Sequence, residues 1–142
     1  MKMLILTPEG VIADEEVTFV SAVGEEGSLG IMPRHAPLVT TLKIDVVEFV
    51  KENSDREVVA TIGGILEVKD NKVTILSDAA EFSVDIDELR AKEAEKRARA
   101  RLTMKTEEVD VKRAEAALAR ALARLKAIEL LNRRTGSRKR GV

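Results

Sequence analysis

The stretch Phe82-Ser83-Val84-Asp85-Ile86-Asp87-Glu88-Leu89-Arg90-Ala91 decides the fold, because the chain changes character inside it. Upstream, residues 1–84 hold all three Phe, all three Pro and six of the eight Gly. Downstream, residues 85–135 contain no Gly, no Pro and no aromatic. Charge follows the same boundary, with 7 basic against 15 acidic side chains before it (net −8) and 17 against 10 after it (net +7). The overall −1 therefore averages an acidic β-type body and a basic α-type arm. Such asymmetry assigns the two halves to different partners.

At 142 residues the chain is long enough for one small domain with an appendage. Its organisation is expected to be a β domain over residues 1–84, a helical hairpin over 85–134 and a basic flexible tail over 135–142. No run of 18 apolar residues offers a membrane span, and no signal-peptide pattern opens the chain. With no Cys and a single His, disulfides, thiolate chemistry and a multi-His zinc site are excluded.

In the body, short runs rich in Val, Ile and Thr alternate with turn formers. Residues 3–7 end at Pro8-Glu9-Gly10, where Pro fixes φ and Gly frees it. Residues 17–23 largely alternate apolar and small polar positions, as a half-buried strand does. Further strands are expected over residues 46–50, 58–62, 65–68 and 73–76. Polar turns, Gly63-Gly64 and Asp70-Asn71 separate them. Many short strands with dense turns predict an antiparallel sandwich or barrel and not an α/β fold. The segment over residues 24–38 has Gly24, Gly27 and Gly30 at a spacing of three, like a phosphate cradle. No Lys-Ser/Thr or helix pattern follows, and Pro33 and Pro37 do, so it reads as a tight β loop. His35 has no local base or metal partner in the sequence and reads as a loop residue.

In the arm, Asp85 and Glu88 have the spacing of a capping box and predict an N-cap at Asp85. Strong helix formers follow. Ala91, Ala94, Ala98 and Leu102 make one stripe, and Val111, Ala114, Leu118, Ala121, Leu125 and Ile128 another. The interval over residues 103–110 interrupts them and offers caps at Thr106 or Asp110. From Thr135 onward a helix stop and then disorder are expected. A buried Ala methyl gives ~0.8 kcal/mol where a Leu gives about 1.5–3, so an alanine-rich hairpin should dock weakly. Weak docking leaves two comparable states for a ligand to bias.

Taken together, three stretches carry a family likeness: Gly27-Ser28-Leu29-Gly30-Ile31-Met32-Pro33-Arg34-His35-Ala36-Pro37-Leu38, Gly63-Gly64-Ile65-Leu66-Glu67-Val68 and Val73-Thr74-Ile75-Leu76. With the acidic start of a two-helix tail, the chain resembles the ε subunits of bacterial F-type ATP synthases over nearly its whole length. The resemblance implies an α+β fold, an N-terminal antiparallel β-sandwich followed by a C-terminal antiparallel two-helix hairpin. It implies a non-catalytic rotor subunit whose sandwich binds the γ subunit and the c-ring. Ser28, Leu29, Ile31 and His35 fall in the part that resembles the family's rotor contact. The hairpin is then expected to move between a folded-down state and an extended state that reaches the catalytic β subunits and inhibits ATP hydrolysis. The expected location is peripheral, at the cytoplasmic face of the plasma membrane, with membrane contact only through the assembled complex.

Ile86-Asp87-Glu88-Leu89-Arg90-Ala91 is similar to the I/L-D-x-x-R-A pattern with which some bacterial ε subunits bind ATP. Glu81, Arg97, Arg120 and Arg124 match further family positions. The resemblance therefore implies ATP as a regulatory ligand held by Glu81, Ile86, Asp87, Arg90, Ala91, Arg97, Arg120 and Arg124. Arg90 and Arg97 are seven apart and share a helix face, and Arg120 and Arg124 are one turn apart. Guanidinium forks suit phosphate oxygens. Two other classes compete. The basic arm would serve a nucleic-acid-binding module, but aromatics for stacking and a recognition-helix motif are missing. An independent enzyme ranks last, since no nucleophile–base constellation is visible.

Overall fold

A computed structural model describes residues 1–104 and 107–140, leaving the side chains at 109 and 134–140 outside the description. Seven strands come first: β1 (Lys2–Thr7), β2 (Gly10–Gly24), β3 (Gly27–Ile31), β4 (Leu38–Lys51), β5 (Arg56–Lys69), β6 (Lys72–Leu76) and β7 (Ala80–Phe82). A 3-10 turn at Ser83–Asp85 leads to helices α1 (Glu88–Thr103) and α2 (Glu108–Arg140). Among the described residues, no helix is long and apolar enough to cross a membrane.

The strands bond in the order β1-β6-β5-β4-β2-β3, with β7 on β5. Strand β1 also pairs with the first half of β2, Lys2 opposite Glu16 and Thr7 opposite Gly10, so the sandwich closes on itself. Its partnership with β6 is parallel, a departure from the antiparallel pattern that holds elsewhere. Closure leaves β1 and β6 bonded on both sides, while among the described residues the short strands β3 and β7 bond on one side only. Alternation then does the sorting: on β6 the inward residues are Val73 and Ile75, on β1 Met3 and Ile5. These pack with Val20, Ile31, Phe49, Val59 and Leu66 in one core. Phe82 closes one end, its ring edge-on to Phe49 at 6.3 Å between centroids.

Gly63-Gly64 does not divide two strands as the sequence predicts. It lies inside the single strand β5, with φ of 66° and 127°. A Cβ on Gly64 would lie 2.0 Å from the Leu76 carbonyl oxygen, so the close approach of β6 demands glycine there. Asp70-Asn71 is a two-residue hairpin turn with φ of 51° and 60°, the left-handed pair of a type I′ turn. The Asn71 Oδ1 accepts the Arg34 N–H at 2.9 Å and ties the β3–β4 loop to that turn. Within the expected loop over residues 24–38, Gly27–Ile31 is itself a strand paired to β2, and only the remainder is loop.

The N-cap of α1 is Asp87, not Asp85, and its carboxylate accepts the Arg90 N–H at 3.1 Å. Asp85 belongs instead to the 3-10 turn that precedes the cap, closed by Ile86 N–H to Ser83 O. The candidate cap Thr106 lies outside the described residues. The predicted stop at Thr135-Gly136 is also corrected, since α2 runs on to Arg140. One glycine inside a helix costs about 1 kcal/mol, and the Arg and Lys around it are good helix formers. Gly141 and Val142, at the end of the expected tail, lie outside the described residues.

Both alanine stripes are used. Ala91 and Ala98 on α1 and Ala114 and Ala121 on α2 are buried between the helices. A second α2 face, with Ala123 and Ala127, is buried as well, and α2 is the helix that rests on β4 and β5. The contact is small: Val46, Val58, Ala60 and Ala127, flanked by Ile86 and Leu130. The sandwich therefore carries α2, and α2 carries α1.

Candidate functional site

The 3-10 turn and the start of α1 bend the chain around an open cavity of about 340 Å³. That volume is at the lower end for small-molecule sites, ~300–1,000 Å³. Glu81, Asp85, Ile86, Asp87, Arg90, Ala91, Ala94, Arg97 and Arg124 line it. Each comes from a distinct constraint. Glu81 is held by β7, opposite Ala60 of β5. Asp87 is fixed by its capping role. Arg90, Ala91, Ala94 and Arg97 follow at helical spacing on one face of α1. Arg124 arrives from α2 across the hairpin.

Seven of the eight residues expected to hold ATP are thus brought together: Glu81, Ile86, Asp87, Arg90, Ala91, Arg97 and Arg124. Arg120 does not line the cavity. It stands one turn nearer the hairpin connection, ~6 Å along the axis and rotated by ~40°. Two lining residues were not expected, Asp85 and Ala94. Ala94 lies three residues after Ala91 and four after Arg90, so the same spacing argument finds it. Asp85 was missed because it was given the cap.

Charge at the site is divided. Arg124 Nε donates to Glu81 Oε1 at 2.9 Å, with both side chains only partly exposed. Among the described residues no ion-pair partner is seen for Arg90 or Arg97, and both are exposed. Two guanidiniums two turns apart, ~10 Å, therefore face open solvent beside a third that is tethered by a carboxylate. The arrangement can receive an extended anion, with Glu81, Asp85 and Asp87 as acceptors for donors elsewhere on the same molecule. Ala91, 3% exposed, and Ala94 give it a low floor without bulky side chains.

The expected rotor residues lie elsewhere, on β3 and the loop after it. Ser28 is exposed and Leu29 half-buried against the core. Ile31 is a correction: it faces inward opposite Val20 and is 0% exposed, so it supports that surface from beneath and cannot be touched from outside. His35 is exposed, its Nδ1 2.7 Å from the Ala36 carbonyl oxygen, consistent with a loop residue.

Comparison with known proteins divides the chain at the same place. Residues 1–83 match the family model described as "ATP synthase, Delta/Epsilon chain, beta-sandwich domain", and residues 85–129 the one described as its "long alpha-helix domain". Over 125 residues the chain is 48% identical to the ATP synthase epsilon chain of Desulforamulus reducens, covering 88% of this chain and 94% of that one. To the epsilon chain of Bacillus velezensis it is 45% identical over the same length, covering 88% and 94%. Among solved structures, a chain of the Euglena gracilis mitochondrial ATP synthase superposes with a TM-score of 0.78 at 22% identity. That superposition covers 91% of this chain and 79% of that one. A chain from the Tetrahymena thermophila mitochondrial ATP synthase central stalk and c-ring gives 0.59 at 18% identity, covering 90% and 96%. At those identities the two structures speak for the fold alone.

Proposed function

The chain belongs to the ATP synthase delta/epsilon chain family, and on that premise we propose that its hairpin is an ATP-sensitive regulator of the motor. The protein acts without a catalytic site of its own, as the ε subunit of the central stalk. Its sandwich binds γ and the c-ring, using the exposed part of the β3–β4 region around Ser28, Leu29 and His35. When the hairpin leaves the sandwich, its basic surface engages the catalytic β subunits and blocks hydrolysis. The complex sits at the cytoplasmic face of the plasma membrane, and this chain meets the membrane only through it.

One observation carries the regulatory reading: a single cavity gathers Arg90, Arg97 and Arg124 with Glu81 and Asp87, from three elements that stay together only while the hairpin is docked. A ligand that bridges them binds the docked state alone. It then stabilises that state by RT ln(1 + [ATP]/Kd), ~2.7 kcal/mol at a hundredfold excess. Reversing a 1:99 population needs ~5.5 kcal/mol, so ATP at such an excess shifts the hairpin without locking it. When ATP falls, the arm is released and wasteful hydrolysis stops. Calorimetric titration of the full chain with ATP tests the reading. Binding should be seen for the unmodified protein and lost in Arg90→Ala. No heat and no melting shift at several millimolar ATP would remove the sensor.

A further inference from the structure

We propose that Asp45 and Lys126 are a positioning pair, which sets the rotation and register of α2 on the sandwich and thereby holds Arg124 over the cavity. Lys126 Nζ lies 2.6 Å from Asp45 Oδ1. Asp45 is already oriented, because the same oxygen accepts the Val46 N–H at 2.8 Å. Its backbone oxygen accepts the Thr61 hydroxyl at 3.1 Å, from a side chain 1% exposed. The carboxylate thus sits on a fixed mount and not on a mobile loop.

The register shows what the mount does. Asp45 on β4 is opposite Thr61 on β5, and Thr61 is opposite Ala80 on β7. Glu81, the partner of Arg124, is next on β7. Strands β4 and β7 flank β5 there, so the two strands that carry the carboxylates lie about two strand spacings apart, ~10 Å. On α2 the two cations are two residues apart, ~200° around the axis, with Ala123 and Ala127 buried between them. The helix lies over β4 and β5, with Arg124 reaching toward β7 and Lys126 toward β4. The apolar contact beneath is made of Ala and Val. Such small side chains interdigitate little and resist rolling and sliding poorly. Two ion pairs on opposite sides of the axis supply the missing definition.

The two pairs are not equivalent. Arg124 also lines the cavity, so an anion there competes with Glu81 for it. Lys126 does not line the cavity, so its bond to Asp45 persists whether or not the site is filled. It keeps the helix in place while Arg124 changes partner.

The ligand part of this inference rests on the nucleotide reading above; the docking part does not. The chain has no Cys, so fluorophores on cysteines placed at exposed Glu52 and Glu93 report docking of the full chain by energy transfer. Asp45→Asn keeps the acceptor for Val46, and Lys126→Gln leaves β4 untouched. Both should lower the docking constant ~2–5-fold, the range of a partly exposed ion pair. ATP affinity should fall by no more than that factor, since only the docked fraction binds. Rising salt should erase the difference from the unmodified chain. Unchanged docking in both single variants would overturn the proposal, and so would lost ATP affinity at an unchanged docked fraction. A difference from the unmodified chain that persists undiminished at high salt would also overturn it. If the unmodified chain binds no ATP while the variants still undock, the nucleotide reading falls and the pair stands.

Discussion

Replacing Val58 by Ala should release the helical hairpin while leaving the sandwich folded, and replacing its neighbour Val59 should weaken the sandwich while sparing the hairpin contact. The two residues are adjacent on β5 and face opposite ways. Val58, 1% exposed, packs in the small cluster with Val46, Ala60 and Ala127 of α2. Val59, 0% exposed, packs with Phe49, Leu66 and the rest of the sandwich core. Val→Ala removes two carbons, and at ~0.8 kcal/mol per buried CH₂ the loss is ~1.6 kcal/mol at either site. For Val58 that loss falls on the docking equilibrium, which should drop ~15-fold. A contact built from a few Ala and Val has little reserve, so the hairpin becomes mainly undocked. For Val59 the same loss falls on the body, and its melting temperature should drop by several degrees. Energy transfer between labels on the body and α1 reads the first effect, and thermal unfolding of the β signal by circular dichroism reads the second. Indistinguishable effects of the two substitutions on both readouts would refute this separation of the hairpin contact from the core.

Three further outcomes follow from the geometry. Arg90→Ala and Arg97→Ala should each abolish or strongly weaken the melting shift that ATP induces, whereas Arg120→Ala, outside the cavity, should retain most of it in calorimetry. Gly64→Ala should cost the sandwich several kcal/mol in urea unfolding, because the new Cβ would lie 2.0 Å from the Leu76 oxygen at a φ of 127°. A loss below ~1 kcal/mol there would show that β6 can move aside. Asp87→Ala should cost ~1 kcal/mol of α1 stability, seen as faster exchange of the Arg90 amide, whereas Asp85→Ala should leave that amide unchanged.

The sandwich was legible in the sequence because its strands alternate plainly, as Val73 and Ile75 do on β6. The hairpin was legible because the loss of Gly, Pro and aromatics after Val84 leaves little but helix formers. What could not be read depends on distant parts of the chain. Gly63-Gly64 looks like a strand break locally, and only the nearness of the Leu76 carbonyl shows that it is a tight passage within one strand. Asp85 and Asp87 are both able caps, and the 3-10 turn leading out of β7 hands the role to the second. For the site, helical spacing placed Arg90 and Arg97 together correctly. It did not separate Arg120 from Arg124, because being one turn apart settles their proximity and not which of the two looks into a cavity walled by α1 and β7. Ile31 shows a similar limit, since a residue within a contact segment need not face outward when the segment is a strand.

The layered attachment of the helices has a mechanical consequence. Because α2 rests on the sheet and α1 packs on α2, the outer helix is held to the body by its own short lead-in from β7 and, through α2, by two packing contacts, and slack at either contact reaches it. The cavity lies where the outer helix leaves β7 through the 3-10 turn. A molecule wedged there would brace the covalent corner of a triangle whose other two corners are packing contacts and the hairpin connection. It would stiffen both contacts at once while touching only one end of the hairpin.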